Sequence, residues 1–442
     1  MKLNSHVLKS TIAAALGGLL FGFDTAVISG TTSALKSIFG LTEWGLGFTV
    51  GSALLGTIVG AMCASIPGDK LGRKMSLMLM AGLYFVSALG CGIAWDWNSL
   101  LVFRFIGGLG IGGSSVLGPL YIAEIAPARH RGRLVGLFQF NVVFGILVAY
   151  LSNYLIGLVG FGASEWRWKL GIAALPAAIF FFLLFSIPQS PRWLVKQGRV
   201  DEARKVIEEI DEGNHEEELA AIVESIDAEH GLGSERLFQH KYRLPVFLAI
   251  AIGMFNQLSG INAILYYIND IFARAGFDKV SSDLQAVAIG ATNLLATIIA
   301  MSVIDRFGRK KMLLLGAVGT ALCLGGVTAI FATGQHEWLL VWLLIGFVGF
   351  FGFSQGAVIW VYLSEVFPTR VRAKGQSLGS FSHWFMNAVL SMTFPYIAKQ
   401  SGAAPFGLFT AMTVVQFFVV LFVFPETKGV TLEQMQKKLG IH

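Results

Sequence analysis

Charge is what this chain has least of. Only 14% of its 442 residues are Asp, Glu, Lys or Arg, against 55% hydrophobic, and the mean hydropathy is +0.67. Soluble domains carry about 25% charged residues, so a water-facing surface is excluded for most of the chain. Cysteine is scarce too. Cys63, Cys91 and Cys323 stand apart inside apolar runs, with neither CxxC nor metal-ligand spacing, which argues against a disulfide framework and a zinc site. There is no GxxxxGK[ST] phosphate loop, and no nucleophile, base and metal-ligand set converges, so neither an enzyme nor a resident metal or cofactor is expected.

What is present is long apolar runs. Windows of the roughly 20 residues that a bilayer demands fall near 9–30, 45–66, 75–95, 99–123, 133–158 and 168–187. A second set falls near 244–268, 283–304, 312–333, 338–363, 376–398 and 405–424. Backbone groups in lipid must be satisfied within each segment, so such runs are helices, and the expected fold is an all-α membrane protein with twelve spans. Lys2, Lys9 and the first apolar run imitate a secretory signal. That run continues without a small-residue cleavage site and carries Asp24, and it reads as a retained first span.

The string Asp-x-x-Gly-Arg-Lys occurs twice, at Asp69, Gly72, Arg73, Lys74 and at Asp305, Gly308, Arg309, Lys310. Glu124, Pro127, Arg131 and Gly132 answer to Glu365, Pro368, Arg372 and, two residues late, Gly375, while Pro188 answers to Pro425. The common offset is about 240 residues. A period this long marks a duplicated domain rather than a solenoid, and a duplicated membrane domain points to a transporter that rocks one half against the other. The expected organisation is a six-helix bundle over 1–188, a helical linker over 189–242, a second bundle over 243–428 and a tail over 429–442.

Basic residues set the orientation. Apart from Arg104 inside a span, one side of the twelve-span arrangement holds only Lys36, Arg167, Lys169, Arg274, Lys279 and Lys399, and the rest of the 33 lie on the side of the termini. That side is expected to be cytoplasmic. The sequence pI of 9.2 is then a topology signal, and no nucleic-acid partner follows from it. In the linker, Val206, Ile207, Ile210, Leu219, Ile222, Val223 and Ile226 recur at helical spacing among many acids, giving short amphipathic helices broken at Gly213 and Asn214.

Ionisable residues inside spans need an account. Asp24 lies about 9 Å from the outer end of the first span and Arg104 about 7 Å deep in the fourth, by helical rise, so opposite charges sit at matching depth. Such a carboxylate can be ionised and paired, or protonated when the arginine turns away, which couples proton occupancy to conformation. The alternative is a static ion pair tying two helices together. Gly22 and Thr25 beside Asp24 leave space for water or substrate.

A second constellation is amide. Gln139, Asn256, Gln257, Asn262, Asn293, Gln355, His383, Trp384 and Asn387 lie within apolar segments of both halves. Groups that both donate and accept, with aromatic neighbours, suit a neutral polyhydroxylated ligand; interhelical hydrogen bonding is the alternative for any one of them. Gln257 and Asn262 would face different sides of a straight helix, and Gly260 between them permits a break. Phe21, Tyr266, Tyr267 and Trp360 are candidate gates or stacking platforms.

Together FGFDTAVISG, PGDKLGRK, RFIGGLGIGG, PLYIAEIAPARHRGR, IPQSPRWL, NQLSGINAILYY, DRFGRKK, WVYLSEVFPTRVR and FPETKG resemble the sugar porter family of the major facilitator superfamily over nearly the whole chain. The resemblance implies two pseudosymmetric six-helix bundles with alternating access around a central monosaccharide site. It places sugar contacts at Gln139, Asn256, Gln257, Asn262, Asn293, Trp360 and Trp384; the residues themselves add His383 as a further sugar contact and Phe21, Tyr266 and Tyr267 as gates. It also implies a cytoplasmic charge network of Asp69, Arg73, Glu124, Arg131, Asp305, Arg309, Glu365 and Arg372. Asp24 and Arg104 match the bacterial proton-coupled members. Asn256 stands where a glutamine is usual, His383 where an amide is frequent, and Gln189 where a glutamate is usual. The resemblance thus implies a monosaccharide importer driven by protons, for a hexose or a pentose. It would be a multi-pass protein of the bacterial inner membrane, with the lipid bilayer, sugar and protons as its partners, and would work as a monomer. A proton-independent uniporter and a non-transporting sugar sensor are the alternatives.

Overall fold

A computed structural model of the protein describes residues 4–127, 130–210, 215–231, 235–368, 370–430 and 432–440, and those residues form helices joined by short connections. Eleven of the described segments are long and apolar enough to cross a membrane. The sequence reading expects twelve. The remaining window lies in Arg372–Gln400, which is 29 residues long but interrupts its apolar run with Ser377, Ser380, Ser382, His383, Asn387 and Ser391. Its length spans a bilayer, and its polarity reflects what it faces: Ser382, His383, Asn387 and Ser391 are all buried in protein. Large apolar side chains such as Phe182, Leu322 and Phe422 stand exposed, which on a water-soluble surface would drive aggregation and here suits lipid tails.

Packing groups the chain into two compact units. The first comprises Met1–Val27, Ser52–Ala149 and Phe161–Gly233; the second comprises Ile28–Gly51, Tyr150–Gly160 and Ser234–His442.

In the first unit, helices approach to backbone contact because glycines line the crossings. A Cβ built on Gly22 would lie 1.8 Å from the Val142 carbonyl oxygen, and one on Gly145 would lie 2.1 Å from that of Leu19, so the helices Ser5–Val27 and Arg131–Val159 touch through bare backbone. The glycine run of the fourth span divides its work. Gly108 and Gly112 abut the carbonyls of Ala53 and Thr57 on Glu43–Cys63, while Gly107 and Gly113 abut Ser87 and Met80 on Gly72–Ile93. Small residues at such spacing replace the hydrophobic effect, which does not act between helices in lipid, with close van der Waals contact. Gly22→Ala is expected to lower the thermal midpoint of the detergent-purified protein, because the methyl group forces a backbone shift worth about 1–3 kcal/mol; an unchanged melting curve would contradict the crossing described.

The linker helices Pro191–Lys196, Val200–Ile210 and His215–Gly231 belong to the first unit. Trp193, Leu194, Ala203, Ile207 and Leu219 form their own small core, and Ile210 joins the core of the bundle. Trp193 Nε1 donates to the Asp69 carbonyl at 2.9 Å, and Asn4 Nδ2 to that of Glu209 at 3.0 Å, so the linker is docked rather than solvated on all sides. Gly213 and Asn214, the expected break, lie outside the described residues.

In the second unit, the seventh span is broken where the sequence placed a glycine. The helix Arg243–Leu258 stops, Gly260 takes a left-handed φ of 82°, and Ile261–Tyr266 begins. The Phe409 ring fills the space a side chain at Gly260 would need. The tenth span carries a π-helical turn over Gly352–Gly356, between Leu340–Phe351 and Ala357–Glu365. The short helix Leu432–Lys438 returns Met435 to the core around Tyr362 and Phe424.

Candidate functional site

Three constellations carry chemistry. In the first unit, Arg104 Nη1 donates to Asp24 Oδ1 at 2.8 Å. The arginine side chain is 4% exposed and the aspartate side chain 20%. Only one guanidinium nitrogen makes this bond, and the buried Arg104 Nε has no hydrogen-bond partner among the described residues. A guanidinium and carboxylate can form two parallel bonds; this pair uses one. The geometry is therefore a closed but incompletely satisfied pair, with an aspartate reachable by water and an arginine that is not. Phe21 packs against the core of this unit one helical turn away, and Gln139 makes no side-chain hydrogen bond among the described residues.

The second constellation lies in the second unit, on the broken seventh span and its neighbours. Gln257 is its hub. Its Nε2 donates to Asn256 Oδ1 at 3.0 Å and lies 3.2 and 3.3 Å from the two ring nitrogens of His383, while its Oε1 accepts from Asn262 Nδ2 at 3.1 Å. An amide N–H only donates, so the ring nitrogen that pairs with it is an unprotonated one. The break at Gly260 is what lets Gln257 and Asn262 meet, although five residues apart. Trp360 and Trp384 flank the imidazole, with ring centroids 5.3 and 5.0 Å from it. Trp360 is partly exposed, as a stacking platform must be, and Trp384 is buried. Asn293, 7% exposed, makes no side-chain hydrogen bond among the described residues, so its amide is available. Asn256 also donates to the Gln355 carbonyl at 3.4 Å, which the π-helical turn turns toward it.

Other residues of the amide group bond to protein, although the buried Gln355 Oε1 has no hydrogen-bond partner among the described residues. Gln355 Nε2 donates to Gln416 Oε1 at 2.9 Å, and Asn387 Nδ2 to the Tyr266 hydroxyl at 3.2 Å. Tyr267 donates to the Ser391 carbonyl at 3.0 Å and stacks on Phe394. Tyr266 and Tyr267 thus pin the second half of the seventh span to the eleventh.

The third constellation is duplicated, as the repeat demands. Arg73 grips Glu124 through Nε and Nη2 at 3.0 and 2.9 Å, reaches Asp69 at 3.3 Å and donates to the Gly68 carbonyl at 2.7 Å. In the second unit, Arg309 bonds Glu365 at 3.1 and 2.8 Å, pairs with Asp305 at 3.0 Å and donates to the Ile304 carbonyl at 3.3 Å. Arg131 lies exposed, and Arg372 Nε donates to the Phe367 carbonyl at 3.4 Å. A helix start completes each cluster. Glu426 accepts from the backbone amides of Arg309 and Lys310 at 2.9 and 3.1 Å, and Gln189 Oε1 accepts from that of Lys74 at 3.0 Å. Gln189 thus keeps the capping bond of its counterpart and loses only the charge that favours a helix N-terminus.

Sequence reading missed three features. Gln416 and Glu426 sit at the far end of the chain from their partners, and only the fold joins them. Lys169, counted with the basic residues of the outer side, is fully buried with Glu165 at 2.8 Å; the i,i+4 spacing was the available signal.

The sugar (and other) transporter family matches residues 10–439. The glucose transport protein of Synechocystis is 36% identical to this chain, covering 96% of it and 95% of the relative. The arabinose-proton symporter of Bacillus subtilis is 35% identical, covering 98% and 94%. Among solved structures, the xylose transporter XylE of E. coli, in a partially occluded inward-open conformation, superposes with a TM-score of 0.86 at 32% identity, covering 97% of this chain and all of that one.

Proposed function

The chain belongs to the sugar transporter family of the major facilitator superfamily, and from that premise we propose that it imports a monosaccharide together with protons by alternating access. The observation that carries the proton half is the Asp24–Arg104 pair: a lone carboxylate at membrane depth, partly open to water, held by one bond to a buried arginine whose Nε has no hydrogen-bond partner among the described residues. Protonating Asp24 removes the attraction, releases Arg104 and permits the change of conformation. The sugar half rests on Gln257, Asn262, Asn256, His383 and Asn293, whose side chain makes no hydrogen bond among the described residues, with Trp360 and Trp384 for the apolar face of a pyranose. Gln139 is assigned to the same task. The relatives named for glucose, arabinose and xylose support a hexose or pentose as substrate.

The repeat halves 1–188 and 243–428 are the moving bodies, and the linker 189–242 is their tether. The two arginine–glutamate clusters serve as inner-face latches, with Arg131 and Arg372 beside them, and Phe21, Tyr266 and Tyr267 as gates. The basic face and both termini are cytoplasmic, in the inner membrane of a bacterium, and one copy suffices for transport. The test is uptake of a radiolabelled monosaccharide panel into proteoliposomes with and without an inward proton gradient. Concentrative uptake of at least one hexose or pentose is expected only with the gradient. Uptake that merely equilibrates would assign a uniporter with a structural Asp24–Arg104 pair, and absence of any uptake would remove the sugar assignment.

A further inference from the structure

The second unit contains a cavity of about 640 Å³ at the ends of its helices remote from the termini. Thr32, Ser33, Lys36 and Glu43 line it on one side and Tyr267, Asp270 and Arg274 on the other, with Phe394 and Phe406 as an apolar floor. These residues come from the short helices Thr32–Ile38 and Ile268–Arg274, the start of Glu43–Cys63, and the eleventh and twelfth spans. Both sides are tied together. Ser33 Oγ donates to Asp270 Oδ1 at 3.1 Å, and Glu43 bridges Lys36 at 2.7 Å and Lys399 at 3.0 Å. Arg274 Nη1 donates to the Ala398 carbonyl at 2.6 Å, and the Tyr150 hydroxyl to that of Leu265 at 2.8 Å. In the orientation proposed above, this is the outer mouth, and it is shut.

One atom in the shut mouth is out of place. Asp270 Oδ2 is sealed from solvent and has no hydrogen-bond partner among the described residues, although the residue as a whole is only half-buried. The cations that act on it are committed elsewhere: Lys36 to Glu43 and Arg274 to a backbone carbonyl. The neighbouring eighth span offers another acid, Asp283, to which Asn269 donates, and Tyr267 uses its hydroxyl on Ser391. An ionised carboxylate with one oxygen dry and unpaired is far more costly than the neutral acid. Once the Thr32–Ile38 helix swings away, water reaches both oxygens and the charge is harmless.

We propose that Asp270 is a proton-binding carboxylate of the outer mouth, taking up a proton when the helices Thr32–Ile38 and Ile268–Arg274 close over it. Burial holds the Asp270 carboxyl above its ordinary range, against the lowering effect of the Thr32 and Ser33 hydroxyls, Arg274 and Lys36. The sign follows from linkage. A group that binds its proton more tightly in the closed form favours closure fully below its open-state pKa, and this contribution is lost as pH rises through the closed-state value. External acid therefore favours a shut mouth, in the same sense as loading Asp24. The inference rests on the proposed orientation only for which compartment supplies the proton.

The test is a distance measurement that involves no transport. Nitroxide labels are placed at Thr42→Cys and Ser401→Cys, both exposed at the mouth, in full-length protein whose native cysteines are replaced by serine and whose Asp24 is Asn. Distance distributions are recorded in liposomes between about pH 5 and about pH 8. The short-distance population of the parent background is expected to fall as pH rises. With Asp270→Asn it should remain high and lose its titration. With Ser33→Ala, which removes a bond to the charged form, the midpoint should move up by about half a unit or more. If Asp270→Asn titrates like the parent, or if the population in the Asp24→Asn parent does not respond to pH, the proposal is overturned. Should Asp270→Asn fail to yield a monodisperse protein, the Ser33→Ala shift decides, and an unmoved midpoint counts against it. Because no sugar is transported, the result stands or falls independently of the symport reading.

Discussion

An Asp24→Asn carrier is expected to exchange sugar across the membrane and to lose uphill accumulation. Asparagine keeps the size of the side chain and, like the protonated acid, lacks the charge that holds Arg104, so the conformational change stays open to it, but it cannot gain or lose a proton. A proton gradient of one pH unit stores about 1.4 kcal/mol, enough for about tenfold accumulation if one proton accompanies each sugar. The variant should show none of this while its counterflow, in which labelled sugar outside exchanges for unlabelled sugar inside, persists. The pair's geometry supports this split. Asparagine leaves Arg104 a neutral acceptor where it now has a single charged bond at 2.8 Å, which is what protonation of Asp24 does, so the variant mimics the loaded carrier. Arg104→Ala is a different experiment, because it strands a buried carboxylate and threatens the fold as well as the coupling. If Asp24→Asn retained gradient-driven accumulation, the transported proton would have to bind elsewhere.

Gln257→Ala is expected to raise the apparent KM for sugar about tenfold or more, with the pH dependence of uptake unchanged. Gln257 holds Asn256, Asn262 and His383 in one network. Its removal takes away the proposed sugar contact and also leaves Asn262 Nδ2 and Asn256 Oδ1 without their partner, and each buried polar group left unsatisfied costs about 1–3 kcal/mol. Gln355→Ala, two hydrogen bonds away, touches packing against Gln416 rather than the face of the network and should act mainly on thermal stability. Initial-rate uptake over a range of sugar concentrations separates the two: equal KM shifts for both variants would show that the Gln257 network is a structural strut.

Most of the fold was legible because the signals were local. Span length, the repeated Asp-x-x-Gly-Arg-Lys string and the glycine at 260 each have a physical consequence that the neighbouring chain cannot override. The eleventh span was legible at 376–398 by its length, although the helix that lines a polar interior must be more polar than its neighbours. The site was legible as residue types more than as partners. Asp24 and Arg104 could be matched by depth alone, and Gln257 with Asn262 by the break between them. That Gln355 turns away to Gln416 was not legible, because it depends on a π-helical turn that one extra backbone residue creates. Asp270 escaped notice because it follows the seventh window by two residues, among loop positions where an acid is ordinary. Only the closure of Thr32–Ile38 over it makes its unpaired oxygen unusual.

The central claim is that sugar and protons move together, and the pH of a weakly buffered medium tests it most directly. Adding a transported sugar to de-energised, right-side-out vesicles containing the parent protein is expected to alkalinise the medium transiently, and an Asp24→Asn sample should give no response to the same sugar. Sugar entry by the parent without alkalinisation would contradict the account and leave a facilitator whose buried pair is structural.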